Sequence, residues 1–210
     1  MKTRSMRQSQ RIATIALLTP VALILSPLNP AAPFIPFGPY AFLKFELWEI
    51  PVYFTLFYFG PKLALGMEMI VYATTQVDLR GSPVSGPVFN LIAVLLTMGG
   101  VWLFTGRRFQ KHGKYLAYVI PLAMGATFRV LGMTVVNYVL DPLPTPIGLN
   151  IPKTLIVGLL PPIAAFNLIV TLYSVPTAQR LAFALRQRLS PGESTHGERN
   201  HAAERETVGS

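Results

Sequence analysis

Cysteine is absent from this 210-residue chain, and acidic residues are scarce, with nine Asp and Glu against eighteen Lys and Arg. Without a thiol there is no disulfide framework, no thiolate metal site and no cysteine nucleophile. Outside the polar C-terminal stretch, the acidic residues are only Glu46, Glu49, Glu68, Asp78 and Asp141. That is too sparse for the carboxylate cluster of metal-assisted hydrolysis, and neither a nucleophile elbow nor an H-E-x-x-H helix is present. The phosphate-cradling pattern G-x-x-x-x-G-K-[ST] is missing as well. Its nearest relative, GRRFQKHGKY from Gly106 to Tyr115, has the wrong glycine spacing and places tyrosine after Lys114. These absences exclude an ATPase site within the chain and leave no visible catalytic set, so neither an enzymatic activity nor a cofactor is expected.

Apolar sequence is what the chain has in abundance. It is 51% hydrophobic and 13% charged, against about one quarter charged in ordinary soluble domains. Six apolar segments stand out: Ile12 to Ser26, Leu47 to Phe59, Lys62 to Gln76, Val88 to Thr105, Tyr115 to Leu140 and Thr154 to Val175. A helix crossing the hydrocarbon needs roughly 20 such residues. The second and third segments, broken by Gly60-Pro61, fall short of that, which leaves a re-entrant hairpin as the alternative to two spans. The expected fold is all-α: a polytopic membrane protein with six transmembrane helices and a long extracellular loop between the first two.

The net charge of +9 is compatible with nucleic-acid binding or with a membrane-flanking basic set. Its distribution favours the membrane. With six spans, fourteen basic residues share one side: Lys2, Arg4, Arg7, Arg11, Lys62, Arg107, Arg108, Lys111, Lys114 and the five arginines from Arg180 onward. Three, Lys44, Arg80 and Lys153, share the other. The excess of Lys and Arg in cytoplasmic loops then puts both termini in the cytoplasm. Residues 1–11 read as a basic cytoplasmic N-terminus, 12–175 as the transmembrane domain and 176–210 as a cytoplasmic tail. From Ser190 the tail, SPGESTHGERNHAAERETVGS, is too polar to bury a core and is expected to be disordered. Its His196 and His201 have no third ligand for a metal. The basic start followed by a short apolar core also resembles a signal peptide, but Pro20 interrupts that core.

Charged groups inside an apolar segment call for a partner or a function, since placing one there costs at least about 2.5 kcal/mol. Arg129 in the fifth segment and Glu68 in the third suggest an ion pair, structural or ligand-binding. Asn90, Asn137 and Asn167 stand near or within the fourth, fifth and sixth segments. Their amides suit a planar heterocycle with alternating carbonyl and N–H groups, and equally suit helix-to-helix hydrogen bonds. Aromatic residues such as Phe42, Phe45, Trp48, Phe89, Tyr138 and Phe166 fit either a ligand slot or the interfacial belts of a membrane protein.

The run PFIPFGPYAFLKFELWEIPVYFTLFYFGP, then Glu68, GPVFNLIAVLLTMGGVWLF, FRVLGMTVVNYVL and PPIAAFNLIVTLY, resembles the substrate-binding S components of energy-coupling factor (ECF) vitamin transporters. The resemblance covers about Ile12 to Tyr173 and is greatest to the riboflavin-specific branch, through FLKFELWEIP and the following FGP. It implies a six-helix cell-membrane protein that binds one vitamin near the extracellular face under a closing loop. It also implies partnership with a transmembrane T component and two ATPase subunits, with lipid around the bundle and no nucleic acid. The substrate-binding residues it points to are Leu43, Lys44, Phe45, Glu68, Asn90, Asn137, Tyr138 and Asn167, with riboflavin as transported ligand rather than cofactor. The small-residue pattern that docks the first helix on the T component survives in half, as Ala16 and Pro20, with Ala22 as a further small residue. Val170 stands where riboflavin binders carry a lysine, so either the flavin is held without that donor or the ligand differs.

Overall fold

The computed structural model describes residues 8–26, 32–76, 85–105 and 114–189. Most of the basic N-terminus, the stretch with Asp78 and Arg80, the loop with Arg107, Arg108 and Lys111, and the tail expected to be disordered lie outside the described residues. Six helices are described: α1 (Gln8–Ile24), α2 (Glu49–Phe59), α3 (Pro61–Thr75), α4 (Ser85–Phe104), α5 (Lys114–Leu140) and α6 (Lys153–Leu189). Their number and order follow the six apolar segments. Stretches of α4, α5 and α6 are long and apolar enough to cross a membrane. The first three helices have 17, 11 and 15 residues, below the roughly 20 of a full span.

The break between α2 and α3 is set by Gly60, whose φ of 98° is open to glycine and strained for other residues. Pro61 then opens α3 at a position where its missing N–H leaves no bond unmade. Elsewhere close packing rests on small residues. A Cβ on Gly100 in α4 would stand 2.6 Å from the Met124 carbonyl oxygen, and one on Gly125 in α5 would stand 2.7 Å from Val101 Cγ2. α4 and α5 accordingly approach each other closely.

Two features depart from the sequence expectations. The loop between α1 and α2 is not purely irregular, as an all-α reading requires. It holds an antiparallel hairpin of β1 (Ile35–Phe37) and β2 (Tyr40–Phe45), paired Ile35 to Phe45 and Pro36 to Lys44. Its prolines disguised it, although Gly38, at φ 55°, supplies the turn. The last helix also does not stop near Val175. It runs on to Leu189 because Val175, Ala178 and Ala182 are buried on one face. Near its end, Arg186 Nη2 donates to the Phe57 and Tyr58 carbonyls at 2.6 and 3.3 Å, satisfying the otherwise orphaned end of α2. The apolar core joins α1 through Ala22, α2 through Val52, Tyr53 and Leu56, α3 through Met67, α4 through Val94 and α6 through Val175.

Candidate functional site

On α5, Arg129, Met133 and Asn137 are all buried and four residues apart, so they form one stripe on a single helix face. Asp141 continues it, since its backbone N–H donates to the Asn137 carbonyl at 3.0 Å. At 1.5 Å per residue the line from Arg129 to Asp141 is about 18 Å long.

At its Arg129 end lies a polar network. Arg129 grips Glu49, the first residue of α2, with Nη1 to Oε2 at 2.6 Å and Nη2 to Oε1 at 2.8 Å. Its Nε donates to Asn167 Oδ1 on α6 at 2.9 Å, and Nη1 also reaches the Tyr53 hydroxyl at 3.2 Å. Tyr53 in turn donates to Glu49 Oε2 at 2.9 Å, and Asn167 Nδ2 to the Ile163 carbonyl at 2.9 Å. The geometry is the bidentate fork that makes guanidinium–carboxylate pairs strong. It corrects the expected Glu68–Arg129 pair: Glu49 engages the guanidinium with both oxygens while Asn167 takes Nε. Glu68 remains within electrostatic range of both Glu49 and Arg129. It is buried, and its Oε2 has no hydrogen-bond partner.

Beside this network lies an aromatic and apolar zone. The hairpin puts Phe45 against Phe166 of α6 in a stacked arrangement, centroids 5.0 Å apart, with Phe37 5.8 Å from the same ring and Tyr173 6.3 Å from Phe45. A lone two-stranded hairpin is marginal in isolation, so these contacts are what hold it down. Beside them runs an apolar groove of about 350 Å³ lined by Pro33, Ile35, Phe45, Leu47, Ile169 and Tyr173. Glu46 follows the hairpin. Trp48 Nε1 donates to its Oε2 at 3.1 Å, and the Tyr173 hydroxyl to its carbonyl at 2.6 Å. Burial pushes the Glu46 carboxyl up to about 7, outweighing the Trp48 hydrogen bond and the Lys44 charge.

The residues singled out in the sequence fall into several groups. Asn167 joins the Arg129 network. Asn137 sits two turns further along the α5 stripe, its Nδ2 donating to the Met133 carbonyl at 2.6 Å. Leu43 and Phe45 are half-buried in β2, while Lys44 is exposed with its ammonium 4.9 Å from the Phe34 ring. Asn90 is half-buried near the start of α4. Tyr138 lies on a different stripe, with Leu131 and Val135, that is 48–63% exposed. On α1, Ala16 and Pro20 are exposed one turn apart, whereas Ala22 is fully buried in the core. Sequence reasoning missed the roles of Tyr53, Tyr173 and Asp141; the i+4 spacing from Asn137 was the available signal for Asp141. Among the described residues no three His, Cys, Asp or Glu side chains gather to hold a metal.

A family model for the substrate-specific component of ECF transporters matches residues 10–178. Among solved structures, the chain is similar to one described as "Structure and mechanism of the S component of a bacterial ECF transporter", with a TM-score of 0.63 and 18% sequence identity, covering 88% of this chain and 97% of that one. At that identity the likeness speaks for the fold. No curated protein matches the chain.

Proposed function

Because the chain belongs to the family of ECF transporter substrate-specific components, we propose that it is a binding subunit for riboflavin. Membership makes it a membrane protein that binds a transported small molecule for an importer, alongside a T component and ATPase subunits, and not an enzyme. The choice of ligand rests on one observation above others: Phe45 of the hairpin stacks on Phe166, the residue next to Asn167. A flat heterocycle entering this stack gains the offset aromatic contact that the two rings now make with each other. Asn137 then offers its Oδ1 and second amide hydrogen to the edge of the heterocycle, and Asn167, whose Oδ1 already accepts from Arg129, its second amide hydrogen. Leu43 and Lys44 accompany the hairpin, and Glu68 and Asn90 complete the proposed set; Tyr138 is an interfacial anchor in this reading.

The hairpin side faces outward and both termini face the cytoplasm, in keeping with the fourteen-to-three distribution of basic residues. The short α2 and α3 cross together with the longer helices. The exposed Ala16 and Pro20 dock the T component, since small side chains let helices approach closely; Ala22 serves the core instead.

A second ligand within the same class is favoured by Val170. It is 2% exposed, three residues beyond Asn167, where riboflavin binders carry a lysine. Purification in mild detergent from riboflavin-fed cells, followed by absorbance and mass spectrometry of the extracted small molecules, separates the readings. One flavin per chain supports riboflavin. A different heterocycle replaces it, and a preparation that is colourless and free of small molecules favours a membrane scaffold.

A further inference from the structure

Asp141 is 1% exposed, and neither of its carboxylate oxygens has a hydrogen-bond partner. Its backbone, by contrast, is fully committed. Its N–H bonds the Asn137 carbonyl, while its own carbonyl accepts from the Leu149 and Ile151 N–H groups at 3.1 and 3.0 Å. Gly148 packs so closely on the Leu140 and Leu143 carbonyls that a Cβ there has no room. The loop from α5 to α6 is therefore cinched around the Asp141 backbone, with its carboxyl buried inside. Burying an unpaired polar group costs stability, and a charged one costs more. Burial alone pushes this carboxyl up to about 6, with no neighbouring charge contributing.

The group stands one turn beyond Asn137 on the same stripe that carries Arg129. We propose that Asp141 is a specificity-determining residue that receives the hydrogen-bond-donating end of the transported ligand and rejects ligands whose far end is anionic. This deepens the riboflavin reading and rests on the site lying along the α5 stripe. A hydroxylated or cationic end supplies donors to both free oxygens. A phosphate or carboxylate there meets a buried like charge on which no neighbouring cation acts.

The test compares riboflavin with riboflavin 5′-phosphate, which shares ring and chain but adds about −1.5 to −2 charges at neutral pH. Fluorescence quenching and thermal shift are read on the detergent-purified full chain and on Asp141→Asn. The wild type is expected to bind riboflavin at least tenfold more tightly than its phosphate. In Asp141→Asn that preference is expected to shrink at least tenfold, through weaker riboflavin binding, stronger phosphate binding or both. Equal affinity for the two flavins in the wild type, or an unchanged preference in the variant, overturns the proposal. If neither flavin binds, the riboflavin reading fails, and the pairs are read by thermal shift across neutral, cationic and anionic heterocycles. There, an anionic compound that stabilises the wild type, or no stabilising compound at all, overturns the role of Asp141. A neutral or cationic compound lost on Asp141→Asn supports it. Should Asp141→Asn not fold, Asp141→Ser is read in the same way.

Discussion

Arg129 on α5 and Asp141, just past the C-terminal end of that helix, lie on one line about 18 Å long, in opposite chemical circumstances. Arg129 is richly paired: two carboxylate oxygens, an amide oxygen and a phenol accept from it. Asp141 is equally buried and has no side-chain partner. Between them Asn137 spends one amide hydrogen on its own helix. A network this well paired fixes three helices relative to one another, whereas unpaired groups gain most when a ligand arrives. In the proposed reading the Arg129 network is scaffold, whereas the aromatic stack of the hairpin beside it and the Asp141 end of the stripe serve recognition.

Breaking the scaffold gives the largest effect. Arg129→Leu or Glu49→Leu leaves its partner buried and unpaired and is expected to lower unfolding stability by about 3–5 kcal/mol, seen as a large fall in melting temperature in detergent. The Glu49→Leu, Arg129→Leu double variant is expected to be milder than either single change. A double variant as damaged as the singles removes the pair from the account.

The next effect separates the two asparagines. Asn137→Ala is expected to weaken ligand binding by about 1–3 kcal/mol, the range for stranding a polar partner, with little change in melting temperature. Asn167→Ala is expected to lower both, because it also releases Arg129 Nε. Identical profiles for the two variants erase the boundary between scaffold and recognition.

Smaller still is the aromatic contribution. Phe45→Ala is expected to reduce affinity by about 1 kcal/mol beyond lost area, measured by ligand titration. If binding is unaffected, the hairpin is not part of the slot.

The mildest effect is on pH. The Glu46 carboxyl sits at about 7 against an ordinary 4.5, so the folded protein holds a proton that the unfolded chain releases. The packing of this loop is then most stable below about 4.5 and weakens as pH rises through about 7. Trp48 reports it directly, being hydrogen-bonded to Glu46. In a Trp102→Phe background its fluorescence is expected to titrate with a midpoint near 7, and to lose that transition in Glu46→Gln. A flat profile between pH 5 and 8 contradicts the assignment.

The number and order of the described helices were legible in the sequence, because runs of apolar residues mark them. The hairpin was not, since prolines on either side of Gly38 mask a short strand pair whose stability comes from Phe166 and Tyr173, far away in the chain. Nor was the partner of Arg129. Glu68 and Glu49 are equally plausible by composition, and only the way α2 begins beside α5 chooses Glu49. Asp141 escaped notice because it stands after the helix, where an exposed turn residue is the ordinary expectation; its burial depends on Gly148 and the return of the loop.

The most direct test is a riboflavin titration of the purified chain by fluorescence quenching, run on wild type and Asn137→Ala with melting temperatures taken on the same samples. The account predicts saturation at one flavin per wild-type chain, and weakened binding at nearly unchanged melting temperature in the variant. Wild-type protein that leaves riboflavin fluorescence unquenched, or a variant that loses stability in step with binding, contradicts it.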